Sequence, residues 1–374
     1  MSVYLDYNAT AKVRPEAVEA MAAALEAGGN PSSVHAFGRA AAAVLEAARA
    51  DVAALAGASA SAVTFVSGGT EANALALESA ARSGAERIIV SATEHDAVLQ
   101  SALGLGIAAE IWPVDGRGVA DLDWLADQLA RGPRALVCLM LANNETGVIQ
   151  PVAEAAAMVR VAGGRLHVDA VQAAGKIAID LEALGADTLA FSAHKIGGPQ
   201  GAGALLTRAG VTIVPSLRGG GQERGLRAGT PNTPGAAGFG AAARAALADL
   251  DRVAQQATWR DGLSRRVAEA GAIVLGADAP RLPQTLAFAS PGFGSDLQVM
   301  GLDLEGVMVS AGAACSSGKV KPSRVVAAMG REDLADCAIR VSGGWASTED
   351  DWRRGGDVWI ALRARRAARQ AAAA

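Results

Sequence analysis

"FSAHKIGGPQG", residues 191–201, closes the apolar run that begins at Asp187 with a serine, a histidine and a lysine, then turns on glycines. An ammonium group is almost never buried without a partner. Lys195, at the inner end of a buried strand, therefore either turns out to water or is used chemically. What surrounds this strand in the sequence decides both the fold and the use.

Working outward, short runs rich in Val, Ile and Leu alternate with amphipathic alanine-rich stretches: "AVTFVS" (62–67), "ERIIVSA" (86–92), "RALVCLML" (134–141), "RLHVDAV" (165–171), "DTLAFSAH" (187–194) and "GALLTR" (203–208). That alternation predicts an α/β fold whose mainly parallel sheet is buried on both faces. Residues 232–271 read as a long helical region. Beyond it, "AIVLGA", "QTLAFASP", "VMVSAGAA" and "CAIRVSGG" read as short strands of a smaller α/β domain. The expected division is a large domain at 13–250 and a small one built from 1–12 and 251–374. The first residues are too few to fold alone and are expected to pack on one of the two. The tail "RARRAARQAAAA" reads as a solvated, fraying helix end.

The chain has 374 residues, 51% hydrophobic and 19% charged, enough for one large core or two adjoining ones. A net charge of −4 offers no basic field for nucleic acid or an anionic membrane. No apolar stretch approaches the roughly 18 uninterrupted residues of a membrane span, and the start lacks a signal-peptide pattern. A cytoplasmic, soluble protein is expected. Cys138, Cys315 and Cys337 form no C-x-x-C pair, which argues against a disulfide framework and against a zinc site, and His35, His95, His167 and His194 show no ligand spacing with them. Cys138 and Cys337 lie in apolar runs and read as small buried hydrophobes. Cys315 lies in "SAGAACSSGK", small and polar on both sides, the setting of an accessible thiol.

"VTFVSGGTEANALAL" (63–77) is strand, glycine turn and helix. The helix start is either capped by Thr70 or a cup for an anion, with Gly68 and Gly69 permitting close approach. Asp169 ends a buried strand, where doubly wound sheets bind ligands. A lysine and an aspartate on neighbouring strand ends beside a phosphate cup meet the needs of pyridoxal phosphate: the lysine for a Schiff base, the carboxylate to hold the pyridine nitrogen protonated.

These residues stand within a wider series, "YLDYNAT", "GNPSSVHAFGRAA", "SGGTEANALAL", "TEHDAV", "NNETGVIQP", "HVDAVQAAGK", "SAHKIGGPQG", "GGGQERGLRAGT" and "SAGAACSSG". In that order and over nearly the whole chain, the series resembles the cysteine desulfurases of iron–sulfur cluster assembly, in the class V aminotransferase group of fold type I pyridoxal-phosphate enzymes. The resemblance implies a large domain with a mainly parallel seven-stranded sheet, a smaller α/β domain carrying the cysteine loop, and a homodimer. It implies that Lys195 is the Schiff-base lysine, Asp169 meets the pyridine nitrogen, Gln172 bonds the ring hydroxyl, and Gly69, Thr70, Ser192 and His194 hold the phosphate. His95 would stack on the ring and move protons at the substrate thiol. Asn144 and Arg340 would grip the ring region and the substrate carboxylate, which a planar guanidinium suits. Thr230 would reach the phosphate of the neighbouring subunit. Cys315 would take sulfur from L-cysteine as a persulfide, leave L-alanine, and pass the sulfur to an acceptor or iron–sulfur scaffold protein. A selenocysteine lyase or an aminotransferase on the same scaffold is the competing reading; transamination needs no loop cysteine.

Overall fold

The computed structural model describes residues 2–312 and 321–373. Twelve strands are present among them: β1 (Val3–Tyr4), β2 (Val63–Val66), β3 (Arg87–Ser91), β4 (Ala108–Trp112), β5 (Ala135–Cys138), β6 (Arg165–Asp169), β7 (Thr188–Ser192), β8 (Gly203–Thr207), β9 (Ile273–Leu275), β10 (Thr285–Ala289), β11 (Val307–Met308) and β12 (Ala338–Ser342).

Seven strands form the central sheet in the order β2-β8-β7-β6-β5-β3-β4. The run from β4 to β7 is parallel, and β8 is antiparallel to both of its neighbours. The sheet is thus mainly parallel and seven-stranded, as the resemblance implied. Every residue of β3 and β7 is buried, and separate apolar clusters cover the two faces. One includes Val63, Leu189 and Phe191; the other includes Leu75, Ile88 and Leu205. β4 was not among the expected strands. It is an edge strand, mostly exposed or half-buried, so "AAEIW" carries no continuous apolar run.

Close packing of helix on sheet sets the site's floor. A Cβ on Gly203 at the start of β8 would lie 2.5 Å from the backbone of Gly68, so only glycine lets the turn before the helix Gly69–Arg82 sit against β8. That turn stands beside the end of β7, because Ser192 pairs with Gly203.

The second sheet, β12-β10-β9, is antiparallel, and β1 pairs with β11. Its core gathers Leu286, Phe288, Ile339, Trp352 and Trp359, the Phe288 and Trp359 rings meeting edge to face at 4.9 Å. The expected helical region is two helices, Thr233–Ala248 and Leu250–Glu269, parted at Asp249, whose carboxylate pairs with Arg14 at 2.6 Å. The last helix runs from Glu349 to Ala373. The tail is less loose than expected: Arg363 bonds Ser290 and Gly271, and Arg365 pairs with Glu305.

Residues 5–11 cross from the second sheet to the first. Leu5 and Tyr7 bond β11 and β12, and Ala11 N–H donates to the His194 carbonyl. The amino-terminal segment therefore lies over the end of β7, and not merely against one domain.

Candidate active site

β6 and β7 end side by side, with Asp169 in register with Ala190, and Lys195 follows in the single turn Ala193–Lys195. Its Nζ donates to the Asn8 carbonyl at 2.6 Å and the Ala9 carbonyl at 2.8 Å. Neither acceptor carries a charge. Burial first, then the Arg340 guanidinium, lowers the amine from 10.5 to about 8, while Asp169 and Asp6 pull the other way. An amine this close to neutrality can serve as both nucleophile and base.

Asp169 is buried and held at both oxygens. Asn73 Nδ2 donates to Oδ2 at 2.8 Å and the Val171 N–H to Oδ1 at 2.9 Å. Behind it, Asn73 Oδ1 meets His167 Nε2 at 2.9 Å, and His167 Nδ1 meets the Thr188 hydroxyl at 2.9 Å. Since Asn73 gives its N–H to a carboxylate, its oxygen faces His167, so His167 carries its proton on Nε2. Burial lowers His167 to about 3 and keeps it neutral. Glu94, buried and in the field of Asp169, is pushed well above the carboxyl range, first by burial.

Gln172 accepts from Lys176 Nζ at 2.8 Å and donates to the Asn8 carbonyl at 2.9 Å. His194 Nδ1 lies 3.2 Å from the Thr10 hydroxyl and is lowered to about 4 by burial, then Lys195 and Lys176.

Gly68, not Thr70, is the cap of the helix Gly69–Arg82, and no side chain caps it. The first backbone bond runs from Ala72 N–H to the Gly68 carbonyl, so the N–H groups of Gly69, Thr70 and Glu71 precede the intrahelical ladder. A Cβ on Gly69 would lie 2.8 Å from Val171 Cγ2 and 3.5 Å from Ser192 Cβ, which puts this end of the helix against both strand ends. Buried Ser192 therefore sits beside the cup.

Arg340 is no surface ion pair. It is buried in β12 with Nη2 on Asp6 at 2.8 Å and Nη1 on the Asn144 carbonyl at 3.0 Å, while Nε has no partner among the described residues. Ser310 donates to the other Asp6 oxygen at 2.7 Å. His95 is exposed and caps the helix Asp96–Gly104, accepting the Ala97 N–H on Nδ1 at 3.0 Å. In the neutral ring that leaves the proton on Nε2. Thr230 is exposed and, among the described residues, its side chain bonds none of the other candidates; Gln222 Oε1 accepts from the adjoining Gly229 N–H at 3.3 Å. Cys315 lies outside the described residues. Cys138 and Cys337 are buried, and burial raises both thiols.

The structure thus gathers Gly69, Asp169, Gln172, Ser192, His194 and Lys195 at one sheet edge, and joins Asn144 to Arg340. Sequence reasoning had assigned nothing to Asp6, Asn8, Asn73, Glu94, His167 or Lys176. Each sits inside a quoted motif, and polarity within an otherwise apolar run was the available signal.

The aminotransferase class-V family matches residues 3–354. A cysteine desulfurase of Cereibacter sphaeroides is 46% identical over 344 residues, which span 87% of this chain and 86% of that protein. The chain belongs to the class-V aminotransferase family, among its cysteine desulfurases. A NifS-like protein from Rickettsia africae has a solved structure that matches with a TM-score of 0.89 at 30% identity, over 97% of this chain and 99% of that one. The structure of SspA in complex with cysteine matches with a TM-score of 0.79 at 27% identity, over 91% and 98%. Among the described residues no helix is long and apolar enough to cross a membrane, and no group of three His, Cys, Asp or Glu is placed to hold a metal ion.

Proposed function

We propose that the chain converts L-cysteine to L-alanine with pyridoxal phosphate bound at Lys195, and that Cys315 receives the sulfur. The observation that carries this reading is the pairing of an amine held by two backbone carbonyls with a doubly anchored carboxylate on the next strand. The residues present fit the cofactor. Among the described residues Lys195 has no acid hydrogen-bond partner to give up, Asp169 keeps lone pairs beyond those taken by Asn73 and Val171, and the open helix start beside Gly69 and Ser192 suits a phosphate.

Lys195 would bond the cofactor, with Asp169 at the ring nitrogen, Gln172 at the ring hydroxyl, and Gly69, Thr70, Ser192 and His194 around the phosphate. When bound, the cofactor supplies a carbonyl for the substrate amine and a ring that accepts electrons from Cα. Lys195 then takes the Cα proton, a role suited to an amine lowered to about 8. Arg340 orients the substrate carboxylate through the N–H groups that Asp6 and Asn144 leave over, Nε–H among them. His95 stacks on the ring and moves a proton at the substrate sulfur through Nε2, as a donor while that nitrogen carries its N–H. In balance, the substrate C–S bond breaks with its electron pair left on carbon, a sulfur–sulfur bond forms at Cys315, and carbon takes up a proton. The products are L-alanine and an enzyme persulfide, whose outer sulfur goes to an acceptor or iron–sulfur scaffold protein.

The same reading divides the chain at 13–250 and at 1–12 with 251–374. It makes the protein a cytoplasmic homodimer in which Thr230 completes the partner's phosphate site. An active monomer in sedimentation at assay concentration would contradict that. Incubation with L-cysteine, followed by alanine and sulfide assays, tests the reaction itself: alanine equal to sulfide released under reductant supports it, and keto acid in place of alanine would favour an aminotransferase.

A further inference from the structure

Lys176 is the buried cation that this chemistry leaves unused. It is 7% exposed, and its Nζ has one hydrogen-bond partner among the described residues, Gln172 Oε1 at 2.8 Å. The charged groups that act on it are Lys195 and Arg340, both of its own sign, and burial together with them lowers it far below an ordinary lysine. A cavity of about 20 Å3 beside it is lined by Tyr7, Arg14, Lys195 and Gln284 among others, and by no Asp or Glu. What the amine does there is donate to Gln172 Oε1.

The amide of Gln172 has two faces to choose between. Its nitrogen side meets the Asn8 carbonyl at 2.9 Å, and its oxygen side meets Lys176. Turning the amide over would set oxygen against oxygen at Asn8 and give up the bond that Lys176 donates, so the two partners favour the same orientation. The Asn8 carbonyl is also an acceptor for Lys195 at 2.6 Å, which ties Lys176, Gln172, Asn8 and Lys195 into one chain of bonds. Nε2 spends one N–H on Asn8 and makes no other bond among the described residues.

We infer that Lys176 is a positioning residue: it locks the Gln172 amide so that the group offered to the cofactor's ring oxygen is always an N–H donor. The inference rests on the cofactor reading above. An N–H on that oxygen stabilises its anionic form, whereas a flipped amide would present a repelling carbonyl.

The test uses loaded wild type, Lys176→Met, Lys176→Gln, Gln172→Ala and the double variant Lys176→Met with Gln172→Ala. Each is titrated by the visible absorption of its bound cofactor and by cofactor dissociation. Lys176→Met is expected to raise the midpoint of the spectral titration by about one pH unit and weaken cofactor binding about tenfold. Lys176→Gln, which keeps a donor, should return both close to wild type. The double variant should match Gln172→Ala within about twofold, because the lysine acts through the glutamine. A wild-type midpoint in Lys176→Met, or effects that add in full in the double variant, would overturn the inference. If Lys176→Met does not fold, Lys176→Gln decides: a midpoint moved by a full unit overturns it, and one at the wild-type value supports it. Wild-type protein that takes up no cofactor would instead bring down the reading beneath it.

Discussion

Removing the Lys195 amine from the cofactor-free protein should abolish one component of its stability profile in alkali. In the unfolded chain the amine titrates near 10.5, and in the folded one it is lowered to about 8. Below about pH 8 both states carry the proton, and the folded state bears the full penalty of a buried ammonium. Between about 8 and 10.5 the unfolded chain keeps its proton and the folded chain has lost it, so stability rises with pH through that window. At roughly 1.4 kcal/mol per pH unit, the gap from 10.5 to about 8 is worth about 3 kcal/mol. The assay is urea unfolding of cofactor-free wild type and Lys195→Met across this range. Tyr7, raised to about 12, is common to both proteins and cancels in the difference; because the Lys195 charge also lowers Lys176, the comparison is repeated in a Lys176→Met background. Wild type minus variant should be flat below about pH 8 and climb by about 3 kcal/mol above it. Parallel curves, with the difference moving by less than about 1 kcal/mol, would refute the claim that burial and Arg340 hold this amine near neutrality.

Two further substitutions probe the scaffold and the strand-end carboxylate. Glu223, at a positive φ of 46°, binds Arg49 through both oxygens at 2.6 and 2.8 Å and also accepts the Phe65 N–H on the edge of β2. Glu223→Ala takes away the two-point partner of a buried guanidinium, which keeps Glu46 at Nε and the Val63 carbonyl, and should cost about 3 kcal/mol in denaturant unfolding; a loss under about 1 kcal/mol would show the pair to be dispensable. Asp169→Asn should retain much of the cofactor and lose turnover by orders of magnitude, since an amide cannot balance a protonated ring nitrogen. Near wild-type turnover would reduce Asp169 to a structural cap of its strand.

The strands that were legible are those buried on both faces, because their apolar runs are continuous: β7 is wholly buried. Direction was not legible there, since a run such as "GALLT" reads the same whether β8 lies parallel or antiparallel, and the half-exposed β4 gave no run at all. Lys195, Asp169 and their neighbours could be named because strand ends concentrate chemistry in such sheets. Their partners could not. Asn8 meets Lys195 across 187 positions of sequence, and Asn73 meets Asp169 across 96, contacts that only the packed chain creates. The helix start also escaped a local reading: Thr70 has the right chemistry for a cap, but the close approach of Gly203 to Gly68 sets the helix boundary two residues earlier.

The account turns on which thiol takes the sulfur, and mass spectrometry after one turnover with L-cysteine asks that directly. Cys138 and Cys337 are buried, and burial raises their thiols, so neither is poised as a thiolate. One added sulfur on the peptide that contains Cys315, absent from the peptides of the other two and lost in Cys315→Ser along with alanine production, is the predicted result. Sulfur on Cys138 or Cys337, or full alanine production by Cys315→Ser, would contradict it and make Cys315 a bystander to a lyase.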